Sequence, residues 1–249
     1  MTRRVAILLA LLVVPLAAHG SDATAAVERL VARLAAAQVS DLVIEQSFTL
    51  YHPDGRHPQS SGEQRLWLKT PRRQRTEEVV EGQHDARLAV EDRVWQRTAD
   101  GRVLELSGRD GEQQGMSLIM PLGRTAADLL AEWRTLGIRD DVAWVTRVGG
   151  REVTIIGARP GERDAASVWL DPEYGVVRFI RRQRLPGGER LVDLTLSEHH
   201  ALAPGLYFPF RQEAFVDGKL LVLVVVRSAR LNGGVPDELF DPDAFRRGR

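Results

Sequence analysis

The chain has 249 residues, no cysteine, and 34 basic residues against 34 acidic ones. That length suits one large domain or two small ones, and a core of this size folds without covalent staples. The missing cysteine excludes a disulfide scaffold, thiol catalysis and a lipidated cysteine, and the balanced charge argues against nucleic acid as a partner.

Residues 1–20 read as an export signal. Arg3 and Arg4 supply the positive end, Val5 to Leu16 form an apolar run broken only by Pro15, and Ala18-His19-Gly20 offers small residues for cleavage before Ser21. The run is shorter than the roughly 20 apolar residues that span a bilayer. The expectation is a cleaved leader and a mature chain, 21–249, that works outside the cytoplasm as a single domain without a lipid anchor. Losing Arg3 and Arg4 leaves this mature chain slightly acidic.

Ser21 or Asp22 is placed to cap a helix over 23–37, with Val27, Leu30, Val31 and Leu34 at the spacing of one apolar face. From Asp41 onward the texture changes to short runs rich in β-branched and aromatic residues. Turn signals such as His52-Pro53-Asp54-Gly55, Gly149-Gly150 and Pro186-Gly187-Gly188 punctuate them. Candidate strands are 42–51, 63–70, 74–80, 86–91, 93–98, 102–107, 143–148, 151–158, 166–170, 176–184, 190–198, 206–216 and 219–230. So many evenly spaced strands predict an antiparallel sandwich or barrel-like sheet.

Between Gly115 and Gly137 the β pattern stops. Met116, Leu118, Ile119, Met120 and Leu122 precede Thr125, which begins a capped helix with Asp128 three residues on and Leu129, Leu130, Trp133 and Leu136 on its apolar side. This segment is either a lid on a cavity or a cover on an ordinary core. The charged run Arg72 to Glu78 predicts a strand exposed on one face and poorly packed on the other, or an edge protected by charge. Leu220 to Val226, apolar in both parities, predicts a central strand covered on both sides.

Catalytic signatures are scarce. The chain has no Gly-x-Ser-x-Gly elbow and no glycine-rich phosphate loop. His52, His57 and His84 read as solvated turn residues rather than metal ligands, and His199 and His200, as strand neighbours, point to opposite faces. Glu77-Glu78, Asp140-Asp141 and Asp241-Pro242-Asp243 read as a solvated strand, a loop and a terminal turn. No cofactor, no metal and no catalytic residue is expected, and the reading is a binding protein rather than an enzyme.

The order of these pieces resembles the outer-membrane lipoprotein carrier (LolA-like) family of periplasmic lipid and lipoprotein carriers. A signal and a first helix are followed by a strand containing Gln46-Ser47-Phe48-Thr49. The block Gly62-Glu63-Gln64-Arg65-Leu66-Trp67-Leu68-Lys69-Thr70-Pro71 comes next and is similar to the family's Gly-x-Leu-Trp-x-Lys-x-Pro segment. Asp92-Arg93-Val94-Trp95, Trp169 to Gly175, and Leu231-Asn232 through Phe240 resemble later family turns. Two positions depart from it: Thr70 stands where lipoprotein carriers have the arginine that secures the lid, and Gln74 stands near their exposed aromatic.

The resemblance implies a strongly curved, incompletely closed antiparallel β-barrel, mainly β with a few helices, whose helical lid closes an apolar cavity. It implies a soluble, monomeric periplasmic carrier of a lipid, lipoprotein acyl chains or a similar amphiphile. An inner-membrane transporter would load it and an outer-membrane acceptor would receive the cargo. The lining is expected from Leu66, Leu68, Met116, Ile119, Met120, Leu129, Leu130 and Trp133, and a charge at Met120 or Leu130 is expected to remove binding with folding retained. Two alternatives accompany this reading. One is a periplasmic lipid-responsive sensor, for which the residues after Phe240 leave little room for the usual second domain, and the other is an envelope enzyme.

Overall fold

The computed structural model describes residues 22–106, 118–185 and 187–248. Helix α1 (Ala23–Ala36) starts at Asp22, whose side chain accepts a hydrogen bond from the Thr24 amide at 2.9 Å. Helix α2 (Ala126–Thr135) opens on a reciprocal capping box between Thr125 and Asp128. This satisfies two backbone donors that a helix start otherwise leaves bare.

Among the described residues thirteen strands form one antiparallel sheet. They are β1 (Asp41–Tyr51), β2 (Pro58–Lys69), β3 (Arg73–Val80), β4 (Gln83–Val90), β5 (Arg93–Arg97) and β6 (Val103–Leu106), followed after α2 by β7 (Ala143–Val148) and β8 (Arg151–Ile156). The rest are β9 (Ser167–Asp171), β10 (Gly175–Leu185), β11 (Gly188–Ala203), β12 (Leu206–Val216) and β13 (Lys219–Leu231). Each candidate strand has its counterpart, with β2 starting earlier and β11 running further than expected. The spatial order runs β6 to β1, then β13 back to β7, so β1 pairs with β13 and the edges β6 and β7 stay unjoined. The curved sheet is therefore an incompletely closed barrel. The chain leaves one edge after β6 and enters the other at β7, which is why the β pattern stops where it does.

Alternation along the strands sorts the side chains onto two faces. On one, α1 and α2 pack with Leu42, Ile44, Leu66, Val168, Phe179 and Phe208 in the main core. On the other, Val43, Trp67, Leu88 and Trp95 meet Val235, Phe240 and Phe245 of the C-terminal segment. That segment comprises a short 3-10 turn (Asp237–Phe240) and α3 (Pro242–Arg246).

Two strands differ from expectation. β3 lies between β2 and β4 and is no edge. Its Arg75 is only 6% exposed because the C-terminal segment covers it: the guanidinium donates to the Leu239 carbonyl and to Glu77 and lies over the Phe245 ring. β13 is central, but its outer face is not covered, since Leu221 and Val225 remain exposed. Opposite Glu45–Gln46 its register shifts by one residue, from Glu45↔Ser228 to Gln46↔Val226. This bulge sets Val226 on the helix-bearing face and leaves Arg227 to reach Glu63 at 2.6 Å.

Candidate functional site

Beside the helix-covered core, the same sheet face carries an open-sided cavity of about 510 Å³. Its apolar wall consists of Leu66, Leu194 and Ile119, the last from the segment before α2. The remaining lining is polar, with Gln46, Gln64, Gln74, Thr76, Gln96 and Gln212 among its members. Glu78, Asp85 and Arg87 complete it. The expected apolar cavity is thus mixed, and the reason lies in register. Gln46 pairs with Gln64 and Gln64 with Glu78, so polar residues scattered through the sequence form one cross-strand row.

The row is wired by hydrogen bonds. The Gln46 Nε2 donates to Gln64 Oε1 at 2.6 Å, and the Gln64 Nε2 donates to Glu78 Oε2 at 3.1 Å. Burial pushes the Glu78 carboxyl above its ordinary range, helped by the nearby Asp85 charge and opposed by the Gln64 amide and Arg87. Two side-chain atoms of lining residues, Gln46 Oε1 and Gln212 Nε2, are themselves closed to solvent and have no hydrogen-bond partner among the described residues.

One step further along β1, Phe48 faces Gly62 across the β1–β2 pair. A Cβ at position 62 would stand 2.7 Å from the Phe48 ring and 2.6 Å from the Val79 carbonyl. Glycine is needed there for the ring to lie against the sheet.

The structure distributes the expected lining residues between cavity and core. Leu66 and Ile119 line the cavity and also pack with the main core. Met120, Leu129, Leu130 and Trp133 are buried in the main core between α1, α2 and the sheet, and Leu68 packs against that core. Met116 lies outside the described residues. With Met120 at 3% and Leu130 at 6% exposure, a charge at either would be buried without a partner. It would therefore act on folding before binding.

Gln46, Gln64, Gln74, Thr76, Glu78, Arg87, Gln96 and Gln212 were not among the expected site residues. The available signal was their spacing, two residues apart on β3 and in the same parity as Leu66 on β2. Glu78 is accordingly half-buried in the cavity rather than solvated.

Outside the cavity, His199 stacks on Tyr174 and His200 on Phe210, so the neighbouring imidazoles have separate partners. Burial lowers the His199 pKa to about 4. Among the described residues no group of three or more His, Asp or Glu side chains is placed to hold a metal ion, and no helix is long and apolar enough to cross a membrane.

Solved structures share this architecture. A putative outer membrane lipoprotein-sorting protein domain from Vibrio parahaemolyticus matches with a TM-score of 0.59 at 13% identity, over 90% of this chain and 100% of that one. A LolA superfamily protein from Nitrosomonas europaea matches with a TM-score of 0.53 at 10% identity, over 86% and 96%. The fold is LolA-like. A DUF1329 family protein from Desulfovibrio piger matches with a TM-score of 0.55 at 14% identity, over 90% and 99%. No protein-family model and no curated protein matches the sequence.

Within this LolA-like frame, Thr70 ties the end of β2 to the α1–β1 connection. Its hydroxyl lies within hydrogen-bond distance of the Val39 and Ser40 carbonyls, at 3.3 and 3.2 Å. Gln74 faces the cavity.

Proposed function

We propose that the protein is an exported periplasmic carrier that binds a lipid, lipoprotein acyl chains or a similar amphiphile in this cavity and moves it towards the outer membrane. It acts by binding rather than turnover, as a monomer with no lipid anchor and no cofactor. Its loading partner is an inner-membrane transporter and its acceptor lies in the outer membrane. The observation that carries this reading is the cavity itself: on a LolA-like sheet, Leu66, Ile119 and Leu194 meet a polar wall in one space of about 510 Å³. That size falls within the roughly 300–1,000 Å³ of ligand pockets, and a wall of two characters suits a molecule of two characters. Each methylene taken from water into the apolar part contributes about 0.8 kcal/mol.

The 1–20 segment supports export, and residues 21–249 form the working domain. Purification from a bacterial periplasm without detergent, followed by lipid extraction and mass spectrometry, should recover an amphiphile at close to one molecule per chain. N-terminal sequencing of that material should begin at Ser21. A reproducibly empty protein under several growth conditions would overturn the carrier reading, and a chain that keeps Met1 would overturn the export reading.

A further inference from the structure

The β10–β11 hairpin reaches past the rest of the sheet. On one side β10 pairs with β9 only as far as Ile180↔Ser167, and on the other β11 meets β12 only from Val192↔Val216 onwards. The pairs Gln183↔Arg190, Arg184↔Glu189 and Leu185↔Gly188 therefore have no flanking strand among the described residues. At about 3.3 Å per residue they form a two-stranded ribbon that overhangs the sheet by about 10 Å.

A bare two-stranded ribbon gains little from packing, so its composition points to what it meets. Residues 181–190 hold Arg181, Arg182, Arg184 and Arg190 against the one carboxylate of Glu189, in a chain whose charges balance overall. Arg182, Arg184 and Arg190 are exposed. Alternation puts Arg182 and Arg184 on one face of the ribbon and Arg181 and Arg190 on the other. Arg181 donates to Gln183 at 2.8 Å and Arg190 to Asp217 at 3.3 Å.

Two neighbouring turns extend this positive rim. The β12–β13 turn brings the exposed Lys219, followed by Leu221 at 37% exposure. The β1–β2 turn carries the exposed Arg56 and lies against it, since a Cβ on Gly55 would stand 2.9 Å from Lys219. The carboxylates of these turns are engaged locally, Asp54 by the Arg56 amide and the His57 ring, Asp217 by Arg190 and the Leu191 amide. The rim also lies at the cavity end of the sheet, because Arg190 and Val192 precede the cavity residue Leu194 on the same face of β11.

We propose that the β10–β11 ribbon and the adjoining turns dock the protein end-on onto an anionic lipid surface. Guanidinium groups match lipid phosphates with paired hydrogen bonds, while Leu185 and Leu221 enter the head-group layer. Cations on both faces of a projecting ribbon suit a flat charged surface better than the one-sided contact of a folded protein partner. Docking there brings the cavity to the bilayer. The inference goes beyond the carrier reading and stands on a different surface of the molecule.

The test is co-sedimentation of the mature protein with vesicles of phosphatidylcholine alone and of phosphatidylcholine with phosphatidylglycerol at three to one. Binding to the mixed vesicles should be about twentyfold stronger in low salt or more, and should fall several-fold in near-molar salt through screening. Arg182→Gln/Arg184→Gln should erase most of that preference, about fivefold for each cation removed from an anionic surface. Arg29→Gln/Arg147→Gln removes the same charge from exposed positions on α1 and β7, away from the rim, and should bind as the unaltered protein does. Equal binding to the two vesicles, binding to neither, or an equal loss in the Arg29/Arg147 variant would overturn the docking surface. Each of these results leaves the carrier reading standing, because lipid extraction from the periplasmic protein measures cavity occupancy separately. Should the Arg182/Arg184 variant fail to fold, the comparison of the two vesicles on the unaltered protein decides alone.

Discussion

Ile44 and Gln46 lie two residues apart on the same face of β1, yet one is core and the other is cavity wall. Across the β1–β2 pair their partners are Leu66, which packs in the core and also reaches the cavity, and Gln64, which is cavity wall. On the core side, α1 and α2 cover the strands and hold them with Trp133, Leu129 and Leu30. On the cavity side the same strands turn glutamines and Glu78 towards an open space. The boundary coincides with the β13 bulge opposite Gln46, which keeps Val226 facing inwards and Arg227 out of the cavity. The helix-covered core and the cavity thus occupy adjacent stretches of one sheet face, and the two can be perturbed separately.

The strongest test of that separation is Trp133→Ala. The indole is 1% exposed within the helix-covered core, so truncation should cost about 3–5 kcal/mol in urea unfolding. Ligand affinity per folded molecule should remain unchanged; a parallel loss of affinity would mean that core and cavity form one unit. Ile44→Gln should come next, at about 3 kcal/mol, because it removes a fully buried apolar group and leaves an amide without partners. A cost below about 1 kcal/mol would place the boundary nearer the helices than Ile44.

The strands were legible because period-two patterning and turn residues are local signals. The α2 start was equally legible, since Thr125 and Asp128 form the capping box their spacing suggests. The site was far less so. Leu129, Leu130 and Trp133 form an apolar stripe at helical spacing, and the same stripe serves a lid or a core. Only the packing of α2 against α1 and the sheet assigns it to the core. The glutamine row needs the register 46↔64↔78, which joins three strands and is written in none of them. In β13 the run Leu220 to Val226 is apolar in both parities, so it hid the bulge that decides which residues face inwards. The charged β3 looked unpacked because its cover, Phe240 and Phe245, comes from the far end of the chain.

On the cavity side the effects should be smaller, and one should change with pH. Burial raises the Glu78 pKa above its ordinary 4.5, so the native state holds this proton more tightly than the unfolded chain does. Stability therefore falls as pH rises through the window from 4.5 up to the raised native value, and it stays lowered above that window. Glu78→Gln removes the penalty and retains an acceptor for Gln64. Thermal unfolding at neutral pH should rise by about 2 °C, with the difference vanishing once the medium is more acidic than the ordinary carboxylate range. An unchanged or lower transition at neutral pH would show that Glu78 is stabilised where it stands.

Gln212→Leu should have the smallest effect on folding, and so it is the sharpest counterpart to Ile44→Gln. Both substitutions exchange an amide and an apolar group at a buried position on the same sheet face, in opposite senses. In the core the incoming amide has lost its water and gained no partner. At position 212 the outgoing amide already lacks a partner for Nε2, so a leucine of similar size removes an unmet donor. The urea unfolding free energy should stay within about 0.5 kcal/mol of the unaltered protein. A loss above about 1.5 kcal/mol would mean that Gln212 holds the sheet together.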